Sequence, residues 1–273
     1  MYRKILWATD LSEESIQALE YAVPIIKKMG AEVYVLSVVP YTPFLYSSLL
    51  GESAIYAELL EEIVNETRED LNKLIEEIKA RHQISIVRWD VVVGSPYAEV
   101  IEHARRKGVD LILMGSRGRG KIEEFLIGST ARKVVAKSDR DLLLVRKKKG
   151  YSRALICVDL SENSRVVLEK GREFASTIGM DYTLLHVIES DTPLPESIQR
   201  EIEEKLESLL GEKAIVEYYP KASTGIIEKS KEYDVVILGN RGHNLFEKLF
   251  LGSTAERVAS HAHSPVLIIR INR

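Results

Sequence analysis

The sequence predicts an α/β protein of two tandem doubly wound domains, each a five-stranded parallel sheet covered by helices on both faces. Three observations point there. Short, near-continuous aliphatic runs alternate with longer segments whose apolar residues recur at helical spacing. A glycine pattern appears twice: Gly115-Ser116-Arg117-Gly118, nine residues, Gly128-Ser129-Thr130; and Gly239-Asn240-Arg241-Gly242, nine residues, Gly252-Ser253-Thr254. Other pairs keep step with it. Asp10 and Asp159, like Val38 and Val187, lie 149 positions apart, while Gly115 and Gly239, like Gly128 and Gly252, lie 124 apart. The second half is thus 25 residues shorter, and the loss falls between its second strand and its glycine loop. A long period seen only twice means two similar domains rather than a solenoid.

The elements of the first half follow in order. Arg3–Ala8 reads as a buried strand. Ser12 reads as the N-cap of a helix that carries Ala18, Leu19, Ala22, Ile25 and Ile26 and stops at Gly30, with Pro24 as a candidate kink. Glu32–Val39 is the second strand. Glu58–His82 is a long amphipathic helix with Leu60, Val64, Leu71, Leu74, Ile75 and Ile78 on one side. Ile84–Val93 is the third strand, and Gly94-Ser95-Pro96 opens the next helix. Leu111–Met114 is the fourth strand, a helix follows Gly128, and Leu142–Val145 is the fifth. The second half repeats this order with a shorter middle. Domains are expected at 1–148 and 151–273.

Composition excludes several classes. A hydrophobic content of 45%, a charged content of 29% and a net charge of −3 are ordinary for a soluble domain and give no prior for nucleic acid or for an anionic membrane. Arg146-Lys147-Lys148-Lys149 reads as a solvated linker. The lone Cys157 sits in an aliphatic strand and reads as a buried, inert thiol. The chain starts directly with a strand and has no signal-like or membrane-length apolar run, so a cytoplasmic location is expected.

A buried strand that opens into glycines and then a helix start suits phosphate binding. Glycines let the backbone approach the ligand, and free N–H groups at the helix start face the anion. In open parallel sheets, ligands lie beyond the carboxyl ends of strands where strand order reverses. Asp10 ends strand one and Gly115 ends strand four, so the two would meet in one crevice if those strands are neighbours.

The Gly-x-x-Gly, nine residues, Gly-Ser pattern, with an Asp-x-Ser turn after strand one, resembles the nucleotide-binding branch of the universal stress protein family. The resemblance covers the whole chain as two copies. It implies strand order 3-2-1-4-5 and ATP or AMP at the ends of strands one and four, with magnesium as a companion to ATP. It implies adenine near Asp10 and the backbone of Val38, ribose bordered by Thr9 and Gly115, and phosphates at Gly118, Gly128, Ser129 and Thr130. Met114 and Arg117 complete the first set. The second set is Val158, Asp159, Val187, Leu238, Gly239, Arg241, Gly242, Gly252, Ser253 and Thr254. The resemblance also implies domains paired through their last strands, Leu142–Val145 beside Val266–Ile269. Two departures stand out. The second half has Pro220-Lys221-Ala222-Ser223 in place of the Gly-x-Pro helix start, and the first half has Asp139-Arg140-Asp141 in place of Ser264-Pro265-Val266.

The run Gly115 to Lys121 nearly fits a P-loop, but Ile122 stands where a hydroxyl must hold magnesium. His261 and His263 are spaced like a metal pair, yet they lack a Cys or carboxylate cluster and read as helix-end residues. Asp10 and Asp159 could serve as caps alone. The apolar loop Tyr41–Tyr56 is expected to pack on its own domain or to mediate self-association. The functional expectation is an adenine-nucleotide sensor or interaction module with an unknown protein partner and no catalytic residue. A slow ATPase, an enzyme cleaving between the α and β phosphates, and a nucleotide-free scaffold are the alternatives.

Overall fold

The computed structural model describes residues 2–41, 53–118, 127–146, 150–240 and 252–271, with side chains of the long second helix from residue 57 onward. The first half runs β1 (Lys4–Thr9), α1 (Glu13–Met29), β2 (Glu32–Pro40), α2 (Ser53–His82), β3 (Ile86–Gly94), α3 (Pro96–Lys107), β4 (Leu111–Gly115), α4 (Ser129–Lys137) and β5 (Asp141–Val145). The second runs β6 (Arg153–Cys157), α5 (Asn163–Ile178), β7 (Asp181–Glu189), α6 (Glu196–Leu210), β8 (Ile215–Tyr219), α7 (Ala222–Lys229), β9 (Val235–Gly239), α8 (Ser253–His261) and β10 (Val266–Ile269).

Local chemistry sets the helix limits. Ser12 caps α1 by accepting the Ser15 N–H, and Gly30 closes it in the left-handed region at φ 60°. The helix continues as one element through Pro24. Ser95 and Pro96 begin α3, as the Gly-Ser-Pro sequence predicts. The long helix begins at Ser53 rather than Glu58, because nothing between those residues breaks helical geometry.

All ten strands form a single sheet in the order β3-β2-β1-β4-β5-β10-β9-β6-β7-β8. Each half therefore has the doubly wound 3-2-1-4-5 order. Within each half every pairing is parallel, and the halves meet at an antiparallel pair, with Leu143 of β5 opposite Leu267 of β10. Leu142–Val145 thus lies beside Val266–Ile269, and a pseudo-twofold axis passes between them.

The cores follow the sheet rather than the halves. On one face Leu71 and Ile75 of α2 belong to the same apolar cluster as Phe174 of α5 and Leu206 of α6. On the other, Val100 of α3 and Val134 of α4 share a cluster with Ile226 of α7 and Val258 of α8. Each cluster crosses the seam, so the two halves share both cores.

Arg146 corrects the linker reading. It is buried, and its Nη2 donates to the carbonyls of Ala259 at 2.9 Å and Ser260 at 2.6 Å, at the C-terminal end of α8. Its repeat partner Arg270 does the converse, donating to Val135 O in α4. Each half therefore caps a helix of the other, where the macrodipole favours a cation. Lys147–Lys149 lie outside the described residues.

Candidate functional site

The first strand of each half has the second and fourth as neighbours, so its carboxyl end lies at the point where strand order reverses. In the first half a cavity of about 370 Å³ opens there. Of the first-half residues singled out in the sequence, Thr9, Asp10, Val38, Gly115, Arg117, Gly118, Gly128, Ser129 and Thr130 line it. Segments more than a hundred residues apart in sequence thus meet at one cleft. Met114 is 6% exposed and belongs to the core cluster beneath α3 and α4, as does Leu238 in the second half. Their side chains are packing groups, and any role at a ligand rests on the main chain.

The end of β1 is built from short polar contacts. Thr9 Oγ1 lies 2.8 Å from Ser15 Oγ and accepts the Leu11 N–H at 3.0 Å. Leu11 adopts φ 62°, unusual for a residue with a branched side chain. Asp10 Oδ1 accepts the Ser12 N–H at 3.1 Å and the Ser12 hydroxyl at 2.5 Å. The helix cap is Ser12 itself, so Asp10 shapes the turn before it. The other oxygen, Oδ2, approaches Gly118 so closely that a Cβ there would stand 2.2 Å away.

The glycines have separate reasons. Gly118 does not use the left-handed region; it is required because the Asp10 carboxylate occupies the space of a side chain. Gly115 passes against α1, where a Cβ would meet Glu14 O at 3.1 Å. Gly128 has room, with nearest contacts at 3.5 Å. Its N–H is also spent, donating to Ser116 O at 2.8 Å. The donors open to an anion are therefore the N–H groups that follow Gly128 at the start of α4, and not that of Gly128 itself. The capping glycine offers no side-chain acceptor, and the first turn of α4 holds no acid. Arg117 is half-buried, and among the described residues its Nε has no hydrogen-bond partner. Burial, and secondarily Arg117, pushes Arg146 down to about 10.

The opposite wall is apolar. Val39, Pro40, Ile63, Pro96 and Val100 face the polar rim. Ile63 is one residue off the core stripe of α2, and Thr67 is one turn further, donating to Ile63 O at 2.7 Å. That second stripe beside the core one was the available sequence signal for Ile63 and Thr67.

The second half repeats part of this arrangement. Gly252 N–H donates to Asn240 O at 2.8 Å, the counterpart of the Gly128 bond. Asp159 Oδ1 accepts the Ser161 N–H at 2.9 Å and the Ser164 hydroxyl at 2.8 Å. Val158 stands where the first half has Thr9. His186 replaces Ser37, with its Nδ1 3.0 Å from Val158 O. Val187 is partly buried beside the core, and Gly239, Ser253 and Thr254 hold the positions of Gly115, Ser129 and Thr130. Glu256 lies in the first turn of α8, where α4 has Arg132. Arg241 and Gly242, like Arg119 to Lys121, fall outside the described residues.

Other candidates resolve simply. His261 Nδ1 lies 3.0 Å from Arg257 O at the end of α8, a helix-end contact. Cys157 is buried, and burial pushes its thiol well up. Among the described residues no group of three or more His, Cys, Asp or Glu side chains could hold a metal, and no helix is long and apolar enough to cross a membrane. The loop Tyr41–Tyr56 lies outside the described residues apart from Tyr41 and the backbone from Ser53 onward.

Comparison with known proteins agrees with this architecture. The sequence model of the universal stress protein family matches residues 1–146 and again 150–270. A universal stress protein of Mycolicibacterium smegmatis is 26% identical over 290 residues, which span 97% of this chain and 96% of that one. Universal stress protein MJ0531 of Methanocaldococcus jannaschii is 34% identical over 149 residues, 55% of this chain and 85% of its own length. A crystal structure of a universal stress protein from Archaeoglobus fulgidus shares the fold, with a TM-score of 0.73, 24% identity and 98% of both chains covered. The chain belongs to the universal stress protein family and carries the family's domain twice.

Proposed function

We propose that the first-half cavity binds an adenine nucleotide, and that the protein acts in the cytoplasm as a nucleotide-responsive stress sensor or interaction module without fast catalysis. The observation that carries this reading is the cavity's division into an apolar wall and a donor-rich rim. Val38, Val39, Pro40, Pro96 and Val100 suit a flat base, and the bare start of α4 with Gly118 and Arg117 suits phosphates. Charge-assisted hydrogen bonds of roughly 1.5–3 kcal/mol each, with base burial, fit a micromolar affinity.

The second half is proposed as a weaker site of the same kind. Glu256 places a negative charge in the helix turn that would meet the phosphates. That charge penalises ATP more than AMP, because repulsion grows with ligand charge. Self-association through the Tyr41–Tyr56 loop and a further protein partner belong to the same reading.

The test is mass spectrometry of small molecules released when protein purified without added nucleotide is denatured, followed by incubation of the protein with ATP. The proposal expects ATP, ADP or AMP in the released fraction and no pyrophosphate formed from ATP. Rapid pyrophosphate release would support the enzyme reading. Failure to bind any adenine nucleotide would leave the scaffold reading.

A further inference from the structure

The two ends of the seam between the halves are chemically different, although the repeat makes them equivalent. At one end Asp141 is buried, its side chain 3% exposed. Its Oδ2 accepts the Tyr2 hydroxyl at 2.9 Å and the Lys170 ammonium at 2.7 Å, and its Oδ1 accepts the Arg270 N–H at 2.7 Å. The offsets of 149 and 124 relate Tyr2 to Tyr151, Lys170 to Tyr21 and Asp141 to Pro265. At the other end the equivalent positions hold two tyrosines and a proline, which cannot form such an ion pair. Tyr21 and Tyr151 stack there with ring centroids 4.9 Å apart, and Tyr21 is fully buried.

We infer that Asp141 and Lys170 form a pairing code, by which the edge strand of the first half accepts the second half and rejects another copy of the first. In a pairing of two first halves, the residue meeting Asp141 at each end would be the partner's equivalent of Tyr21 rather than Lys170. The carboxylate would keep its Tyr2 hydroxyl and a main-chain donor and lose its cation, at both ends. A buried charge stripped of its partner disfavours such a state by roughly a hundredfold or more per end. Pairing of two second halves is opposed less, since the Lys170 side chain is 41% exposed and can turn to water. The surface so coded fits one partner, the opposite half of this chain. The code disfavours pairing of like halves from two chains, which a tandem repeat with two similar aliphatic edge strands otherwise permits.

Charge reversal in the full chain tests this. The variants Asp141→Lys and Lys170→Glu each place like charges at the seam, so each alone should lose at least tenfold in its folding constant. Refolded together, each chain finds its complement in the other. The mixture should regain a cooperative unfolding transition and give a 1:1 species in native mass spectrometry, in excess of that from tagged and untagged wild type refolded together. The double variant Asp141→Lys/Lys170→Glu should recover part of the loss within one chain, because the charges are again opposite while the Arg270 N–H lacks the acceptor Asp141 supplied. Single reversals that unfold like wild type, or a mixture and a double variant that both fail to recover, would overturn the code.

Discussion

Gly118 and Gly128 belong to one motif and answer to different constraints. At Gly118 the Asp10 carboxylate fills the side-chain space. Gly118→Ala should therefore displace Asp10 and lower nucleotide affinity at least tenfold, about 1.4 kcal/mol. Gly128→Ala meets only ordinary contacts, and the bond from its N–H to Ser116 survives. It should change affinity less than threefold. Fluorescence titration with an adenine nucleotide analogue compares the two, and equal losses would show that Gly128 has a role its geometry does not require.

His103 supplies a second test at this scale. It is 2% exposed, with Asp90 Oδ2 at 3.7 Å, Glu99 Oε2 at 4.0 Å and the Arg106 guanidinium against its ring. Burial first, then Arg106 and Lys107, hold its pKa below the ordinary 6.5, against opposing pulls from Asp90 and Glu99. A lowered folded pKa means that the unfolded chain binds more protons. His103 thus costs nothing above pH 6.5 and destabilises the fold as pH falls through that value. Urea unfolding of His103→Gln should show a shallower loss of stability between about pH 7 and pH 5 than wild type. An unchanged slope would mean that His103 keeps its ordinary pKa.

The helices α4 and α8 differ in how their ends are stabilised. A helix start is usually stabilised by an acid in its first turn, and α4 has none. Ser129 is exposed at that start, so Ser129→Asp should stabilise the fold by about 0.3–1 kcal/mol while repelling phosphate. Stability and affinity should move in opposite directions, read by thermal unfolding and by nucleotide titration of the same sample. Loss of both would mean that Ser129 is a packing residue. The far end of α8 depends on Arg146. Arg146→Ala strands two carbonyls and leaves a void at the seam, which should cost about 2 kcal/mol or more in urea unfolding. A change under about 0.5 kcal/mol would return Arg146 to the solvated class.

At the scale of the whole molecule, what was legible in the sequence was what repeats. The two glycine patterns, the offsets and the alternation of strand and helix sufficed for the order of elements and for the convergence of Asp10, Val38 and Gly118. What was not legible depends on three-dimensional neighbours. Arg146 belongs to a basic run, and only the antiparallel β5–β10 pair turns it into a cap for the opposite half. Asp141 departs from the repeat, and its meaning depends on a lysine in another half. Ile63 and Thr67 form a stripe visible on α2, but which cavity that stripe lines depends on where α2 packs. Both cores cross the seam, so ligand binding is best measured on the full chain.

The proposed ligand of the donor-rich cavity at the carboxyl end of β1 is an adenine nucleotide. Isothermal calorimetry of the full chain with AMP and with ATP, on wild type and on Gly118→Val, tests it most directly. Wild type should bind saturably at about micromolar concentration, and the variant should lose at least tenfold at the first-half site. Absence of binding by wild type at millimolar nucleotide, or an isotherm unaltered by the substitution, would contradict it.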